Sequence, residues 1–126
     1  MTLRLLVAIV LLAQVPAHDL EWVAPPDAAA RTNPLATRPE TAAGGEKLFR
    51  QRCIACHGDD ARGTSGGPDL TAEEVQAESD GALFWKIGSG NSRRDMPSFS
   101  FLPELQRWQL VLHLRSLKRS NQSRFD

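Results

Sequence analysis

The segment Cys53-Ile54-Ala55-Cys56-His57 constrains this chain more than any other feature, because it places two thiols and an imidazole within five residues. Two cysteines three positions apart at the end of a helix present both sulfur atoms on one side of the chain, where each can form a thioether with a haem vinyl group. The adjacent imidazole of His57 is a good axial ligand for iron. The segment therefore predicts one haem c, bound covalently through Cys53 and Cys56.

Two other kinds of site use the same pair of cysteines. A redox-active dithiol does not need His57, and a thioredoxin-like dithiol lies near a βαβ pattern, which this sequence lacks. A structural zinc site needs four ligands, and beyond the motif only His18, His113 or a carboxylate remains to supply the fourth. Both alternatives fit the sequence less well than haem does.

The first 17 residues resemble a secretory signal peptide. Arg4 is followed by an apolar run over residues 5–13 and then by Val15-Pro16-Ala17, which predicts cleavage after Ala17. The run is shorter than the about 20 apolar residues that span a bilayer, although an uncleaved anchor stays an alternative. We therefore expect an exported or periplasmic protein. Export agrees with the haem motif, because bacterial c-type haem is attached outside the cytoplasm.

The remaining chain has the length of one small domain. Residues 18–40 are rich in proline and alanine and show no sustained period, which predicts an extended arm, and its lone Trp22 is more typical of a surface anchor than of a site. We assign residues 41–120 to the folded domain and residues 121–126 to a C-terminal tail. The whole chain has 15 basic and 15 acidic residues, and this balance argues against a nucleic-acid partner.

Hydrophobic periodicity predicts that the domain is all-α. A first helix is predicted over 42–52 with Thr41 as its N-cap, and a short helix follows Thr71, whose hydroxyl is expected to cap it. A third helix runs over 80–87, and the last runs over 103–118. No stretch alternates polar and apolar residues long enough to indicate a strand.

The last predicted helix carries two apolar stripes, which indicates that it lies between two packing partners. One stripe includes Leu105 and Trp108, and the other includes Leu110 and Leu114. His113 falls on the polar arc between them. We therefore expect His113 to face solvent rather than to ligate iron.

Four segments that follow one another in order over residues 41–118 resemble the class I c-type cytochromes. They are Gly45-x-x-x-Phe49-x-x-x-Cys53-x-x-Cys56-His57, Gly67-Pro68-Asp69-Leu70, Met96-Pro97, and an aromatic residue on the last helix, Trp108. The resemblance implies a cytochrome c fold of three to five helices around one covalently bound haem. It also implies that the N- and C-terminal helices cross, with Trp108 as the partner of Gly45.

The resemblance also assigns roles to the matched residues. Cys53 and Cys56 would form the thioethers, and His57 would be the proximal iron ligand. The carbonyl of Pro68 would accept a hydrogen bond from Nδ1–H of His57, which fixes the ring and raises the basicity of the other nitrogen. Leu70 would pack on the haem.

The sixth iron ligand can be argued from the residues alone. Met1 is removed with the signal peptide, so Met96 is the one thioether that remains. It lies 39 residues beyond His57, which is enough chain to reach the other face of a haem. Thioether ligation raises the reduction potential relative to a second imidazole, as suits an electron carrier.

Three residues near the predicted haem have two interpretations each. Trp85 either donates its indole N–H to a haem propionate, as the resemblance implies, or belongs to the core. Arg93 and Arg94 either pair with propionates or face a partner, or they lie in a solvated loop, which we favour.

These observations predict a monohaem electron carrier rather than an enzyme. With His57 and Met96 on the iron, no open position remains for a substrate, and the donor and acceptor would be redox partner proteins. One alternative is an electron-transfer subunit of a larger dehydrogenase or reductase, associated with a membrane or multi-subunit complex. A less favoured one is a haem sensor or peroxidase in which Met96 is displaced. A free carrier would be a monomer.

Overall fold

The computed structural model describes residues 22–122, so the predicted signal peptide and its cleavage after Ala17 lie outside the described residues. Along this part of the chain, six α-helices form and no β-strand. The helices are α1 (Pro26–Ala29), α2 (Ala42–Arg52), α3 (Ile54–His57), α4 (Glu73–Gln76), α5 (Asp80–Ser89) and α6 (Glu104–Gln122), with 3₁₀ turns at Pro39–Thr41 and Ser92–Arg94.

The all-α prediction is confirmed, and the predicted helix over 42–52 coincides with α2. The helix number exceeds the expected three to five because α1, α3 and α4 are segments of four residues. α5 ends two residues later than predicted. α6 continues to Gln122, so the first part of the expected tail is helical.

Neither predicted side-chain cap forms. Thr41 occupies the N-cap position of α2, but its Oγ1 donates to the carbonyl oxygen of Arg38 at 2.8 Å. Thr71 lies one residue before the N-cap position of α4, and its hydroxyl donates to Oδ1 of Asp69 at 2.7 Å. In both places an acceptor in the preceding turn competes successfully for the hydroxyl.

Helices α2 and α6 cross with their backbones in close contact at Gly45. A Cβ atom at this position would lie 1.9 Å from the carbonyl oxygen of Gln109, so the crossing requires glycine. Trp108, which the resemblance made the crossing partner, instead stacks on Phe84 of α5 with ring centroids 3.9 Å apart. The backbone of α6 therefore meets α2, while the indole of Trp108 joins α6 to α5.

α6 buries most of both predicted stripes. Trp108, Leu110, Val111 and Leu114 are all buried, and Val111 is completely inaccessible. Leu105 departs from the prediction, because it lies in the first turn of α6 and is 58% exposed. Every helix along residues 22–122 is too short or too polar to cross a bilayer.

From Trp22 onward, the segment predicted as an extended arm packs against the domain. α1 lies on the first turn of α5, where a Cβ atom on Gly81 would be 2.2 Å from the carbonyl oxygen of Ala28. Ser79 caps α5 and donates its hydroxyl to the carbonyl oxygen of Ala29 at 2.7 Å. The first part of the arm therefore packs against the beginning of α5 as part of the folded domain.

Asn33 fixes the second half of this arm. It is 4% exposed, and its Nδ2 donates to the carbonyl oxygen of Trp108 at 3.1 Å. Its Oδ1 accepts a hydrogen bond from the backbone N–H of Leu35 at 2.8 Å. Leu35 then joins the hydrophobic core. A buried amide with both of its groups paired holds the arm in one position.

Candidate haem site

The Cys-x-x-Cys-His segment forms the turn that follows α2. The backbone N–H of Cys53 donates to the carbonyl oxygen of Phe49 at 2.8 Å, and the N–H of His57 donates to that of Cys53 at 3.0 Å. Both cysteines are free and half-buried. The helical turn thereby presents Cys53, Cys56 and His57 to one cavity.

This cavity has a volume of about 190 Å³ and is walled mainly by apolar side chains. Cys53, Cys56, His57, Leu70 and Met96 all line it, so most of the residues that the sequence singled out come together. The helices supply the apolar walls through Phe49, Val75, Leu83, Ile87, Leu110 and Leu114.

The ring of His57 is oriented by the following loop. Its Nδ1 lies 2.9 Å from the carbonyl oxygen of Pro68, the contact that the resemblance implies. Since a carbonyl oxygen can only accept, Nδ1 carries the hydrogen and Nε2 keeps its lone pair for a metal. A Cβ atom on Gly67 would lie 3.1 Å from the ring, so the loop backbone packs closely against the imidazole.

Two more contacts hold this loop, one to the cysteine motif and one within the loop itself. The hydroxyl of Thr64 donates to the carbonyl oxygen of Cys56 at 2.6 Å. The backbone N–H of Leu70 donates to the carbonyl oxygen of Ala61 at 2.8 Å, which brings the half-buried Leu70 to the cavity wall. The His57 side of the site is therefore built by residues that follow the motif closely in the chain.

Met96 lies in a loop that closes on itself. The backbone N–H of Asn91 donates to the carbonyl oxygen of Met96, and the N–H of Met96 donates to that of Asn91, both at 2.9 Å. Gly90 begins the loop with a φ of +64°, and a Cβ atom there would lie 2.6 Å from the backbone of Pro97. The turn thus holds Met96 at the cavity wall.

A more open cavity of about 630 Å³ adjoins the first along this loop. Arg93 and Arg94 are both exposed and line it, and Arg94 also lines the smaller cavity beside the cysteines. The residues that line both cavities are Trp22, Asn91, Arg94, Asp95, Met96 and Pro97. The space beside the cysteine motif therefore continues along the Met96 loop.

A different tryptophan from the one expected reaches the site. On α5, Leu83, Lys86 and Ile87 line the cavity at helical spacing, which leaves the half-buried Trp85 on another side of that helix. Trp22 lines both cavities instead. The sequence around Trp22 shows no periodicity or motif, so it could not predict that Trp22 lies at the cavity.

A partly buried ion pair lies on the mainly apolar wall. Nζ of Lys86 is 2.5 Å from Oε1 of Glu78, and these side chains are 17% and 28% exposed. The same ammonium lies 4.6 Å from the centroid of the Trp22 ring. Oε2 of Glu78 is buried and has no hydrogen-bond partner within the described residues.

Burial changes the proton affinity of two side chains in this region. It raises the pKa of the Cys53 thiol to about 11, and the neighbouring Cys56 adds to this effect. Burial also lowers the pKa of His113, whose ring centroid lies 5.0 Å from that of Phe49. His113 is thus half-buried against α2 rather than turned to solvent as expected, and it does not line the cavity.

The residues present fit a covalently held haem. Two free thiols, an imidazole with an available Nε2 and a thioether all border the same apolar cavity. Cys53 and Cys56 would hold the haem edge, and His57 and Met96 are the available iron ligands.

Comparisons with known proteins point the same way. The family described as "Cytochrome C oxidase, cbb3-type, subunit III" matches residues 40–114, more than half of the chain. A stretch of 37 residues is 54% identical to the cbb3-type cytochrome c oxidase subunit CcoP of Rubrivivax gelatinosus. That match covers 29% of this chain and 12% of CcoP, so the chain spans a small part of that relative's length.

A solved structure, the KustC0563 c-type cytochrome, is similar with a TM-score of 0.53. Its sequence is 31% identical, and the match covers 59% of this chain and 96% of KustC0563. The family match contains Cys53, Cys56, His57 and Met96. The chain therefore belongs to the family of cbb3-type cytochrome c oxidase subunit III and is a class I c-type cytochrome, with haem c as its covalently bound cofactor.

Proposed function

We propose that this cytochrome is an exported one-electron carrier whose low-spin haem is ligated by His57 and Met96. The observation that carries the proposal is that both side chains line one apolar cavity beside two free cysteines. The hydrogen bond to Pro68 supports the role of His57, because it leaves Nε2 available. Two protein ligands would leave no open position for a substrate, so the protein would act by electron transfer alone.

The tasks of the chain follow from this proposal. Bound haem supplies a reversible one-electron couple, and the protein sets its environment. The apolar walls exclude water, and the thioether of Met96 favours the reduced state relative to a second imidazole. Docking to each redox partner would bury a small interface and be brief, as suits repeated electron exchange.

The family match favours a second, more specific role as the electron-transfer subunit of a membrane oxidoreductase. The matched family and the similar CcoP stretch are both described as parts of a cbb3-type oxidase. In this role the chemistry at the haem is unchanged, but the chain is bound to larger subunits. Size-exclusion chromatography of native membrane and periplasmic fractions separates the roles, because a free carrier elutes as a monomer and a subunit co-elutes with its complex.

A sensor or peroxidase needs Met96 to leave the iron readily. Carbon monoxide added to the reduced protein measures this directly. We expect weak binding at neutral pH, since the thioether competes with the added ligand. Ready binding by the wild type would contradict the carrier proposal.

The substitution Met96→Ala tests the ligand assignment. We expect the oxidised wild type to show a low-spin spectrum with a weak far-red band from methionine ligation. The variant should lose this band and bind carbon monoxide readily when reduced. Leu105→Ala is the control, because Leu105 is an exposed apolar residue away from the cavity. A Met96→Ala protein with an unchanged spectrum would remove Met96 from the site.

A further inference from the structure

We propose that Trp22 is a positioning residue that holds the Met96 loop, residues 90–97, against the haem site. The inference rests on the proposed function, because it concerns how firmly Met96 stays on the iron. Residues 22–35 act in this proposal as a strap that begins at Trp22 and is fastened to the domain at Leu35.

The contact that carries the proposal joins residues 68 positions apart. Nε1–H of Trp22 donates to the carbonyl oxygen of Gly90 at 2.9 Å. The half-buried indole also lines both cavities and lies over the ammonium of Lys86. Trp22 therefore bridges the end of α5, the base of the Met96 loop and the cavity itself.

The backbone at Gly90 determines the direction of the Met96 loop. Its positive φ and its contact with the backbone of Pro97 set the direction in which the loop leaves α5. The two hydrogen bonds between Asn91 and Met96 follow immediately. A donor that fixes the carbonyl of Gly90 therefore restrains the turn that presents Met96.

The strap is itself anchored, so it can transmit this restraint. Ala24 is buried, and the carbonyl of Ala29 accepts the hydroxyl of Ser79. Asn33 is buried with both amide groups paired, and Leu35 enters the core. Because these contacts order the backbone on both sides of α1, the indole is held in place at little further entropic cost.

The strap belongs to the part of the chain that precedes the family match. That match begins at residue 40, whereas the strap ends at Leu35. The strap therefore lies outside the region that matches the family.

The consequence is a change in how readily Met96 exchanges for an added ligand. In the oxidised protein, imidazole binds iron when the thioether of Met96 leaves, with no change in oxidation state. Loss of one hydrogen bond that favours the closed loop should raise the fraction of open loop, and with it the apparent affinity for imidazole. One net hydrogen bond corresponds to a change of about two- to tenfold.

The test is an imidazole titration of the oxidised holoprotein, followed by the far-red methionine band, with wild type and Trp22→Phe. Phenylalanine keeps an aromatic ring but removes the N–H donor. We expect about two- to tenfold tighter imidazole binding by the variant, with a far-ultraviolet circular dichroism spectrum unchanged in the same buffer. Trp22→Ala should shift the affinity further, because the ring contact is lost as well.

Trp85→Phe is the matched control, since Trp85 is a half-buried tryptophan of α5 that does not line either cavity. It should bind imidazole as the wild type does. An unchanged affinity in Trp22→Phe, or an equal shift in Trp85→Phe, would overturn the inference. A wild type that lacks the methionine band would instead contradict the proposed function, so the two failures are distinguishable.

Discussion

The His57 and Met96 sides of the haem cavity are held by contacts of different range. On the first side, the ring of His57 bonds to the carbonyl of Pro68, 11 positions along the chain. On the second side, the loop that carries Met96 closes on itself, but Trp22 joins it to the rest of the fold from 68 positions away. Both sides therefore have contacts within their own segments, but the Met96 loop has in addition a contact with a segment distant in the chain.

This difference predicts the order in which the site loosens. Local openings in proteins begin where the free energy of opening is smallest, and contacts between distant segments are lost when the packing between them is lost. The Met96 side should therefore open before the His57 side. Substitutions in the helix crossing or in the strap test this expectation.

The largest effect is expected from Gly45→Val, which should destabilise the whole domain and with it both sides of the cavity. The new side chain would clash with the backbone of Gln109 where α2 and α6 cross. Relieving this clash requires the two helices to move apart, because the backbone cannot rotate away as a side chain can. We expect a loss of about 3 kcal/mol or more in the free energy of unfolding. Urea unfolding of the holoprotein, followed by circular dichroism, measures this loss.

Gly44→Ala is the matched control. Its Cβ atom would lie 2.5 Å from Nε2 of Gln109, the flexible end of a side chain that can rotate away. Alanine also favours a helix over glycine by about 1 kcal/mol. Stability should therefore stay within about 1 kcal/mol of wild type. Equal stabilities for Gly45→Val and wild type would contradict the close crossing.

A smaller effect, directed at the Met96 side, is expected from Asn33→Ala. This change leaves the N–H of Leu35 without its buried acceptor and frees the end of the strap. We expect a loss of about 2 kcal/mol in the free energy of unfolding. The methionine band should also disappear at a lower urea concentration than the helical circular dichroism signal of the whole domain.

Thr32→Ala provides the comparison for Asn33, because Thr32 is an exposed neighbour. Its effect on the free energy of unfolding should be below about 0.5 kcal/mol. If the methionine band and the overall unfolding of Asn33→Ala move together by the same amount, the two sides do not differ in the way described.

The smallest effect is a pH dependence that comes from His113 beside α2. Burial is the largest influence on its pKa and lowers it, while Glu46 raises it and Arg50 lowers it. The unfolded chain, with a pKa near 6.5, therefore binds a proton that the folded chain resists. Stability should be unaffected above this pH and should fall as the pH drops from 6.5 towards the folded value. His113→Gln should show a shallower fall in urea unfolding midpoints, and identical slopes would contradict this role.

How far the sequence predicts this protein depends on the range of the contacts. The helix over 42–52 and the residues of the haem motif follow from local spacing, and they lie where that spacing indicated. The hydroxyls of Thr41 and Thr71 bond to nearby acceptors instead of capping, a choice between two local partners that the pattern does not decide.

The positions of two tryptophans show what the pattern leaves out. Trp85 lies beside the residues of α5 that line the cavity but belongs to another side of that helix. Trp22 reaches the cavity because α1 and Asn33 hold the strap across the domain. No period or motif encodes such a contact. The burial of His113 against Phe49 likewise depends on the angle at which α2 and α6 cross.

Covalent attachment of haem is tested most directly by the mass of the purified protein after denaturation and extraction with acidified acetone. We predict a coloured polypeptide that is heavier than the chain alone by the mass of one haem, and we predict that Cys53→Ala/Cys56→Ala lacks this added mass. A wild-type chain that loses its pigment to the solvent and shows the mass of the polypeptide alone would contradict covalent attachment at these cysteines.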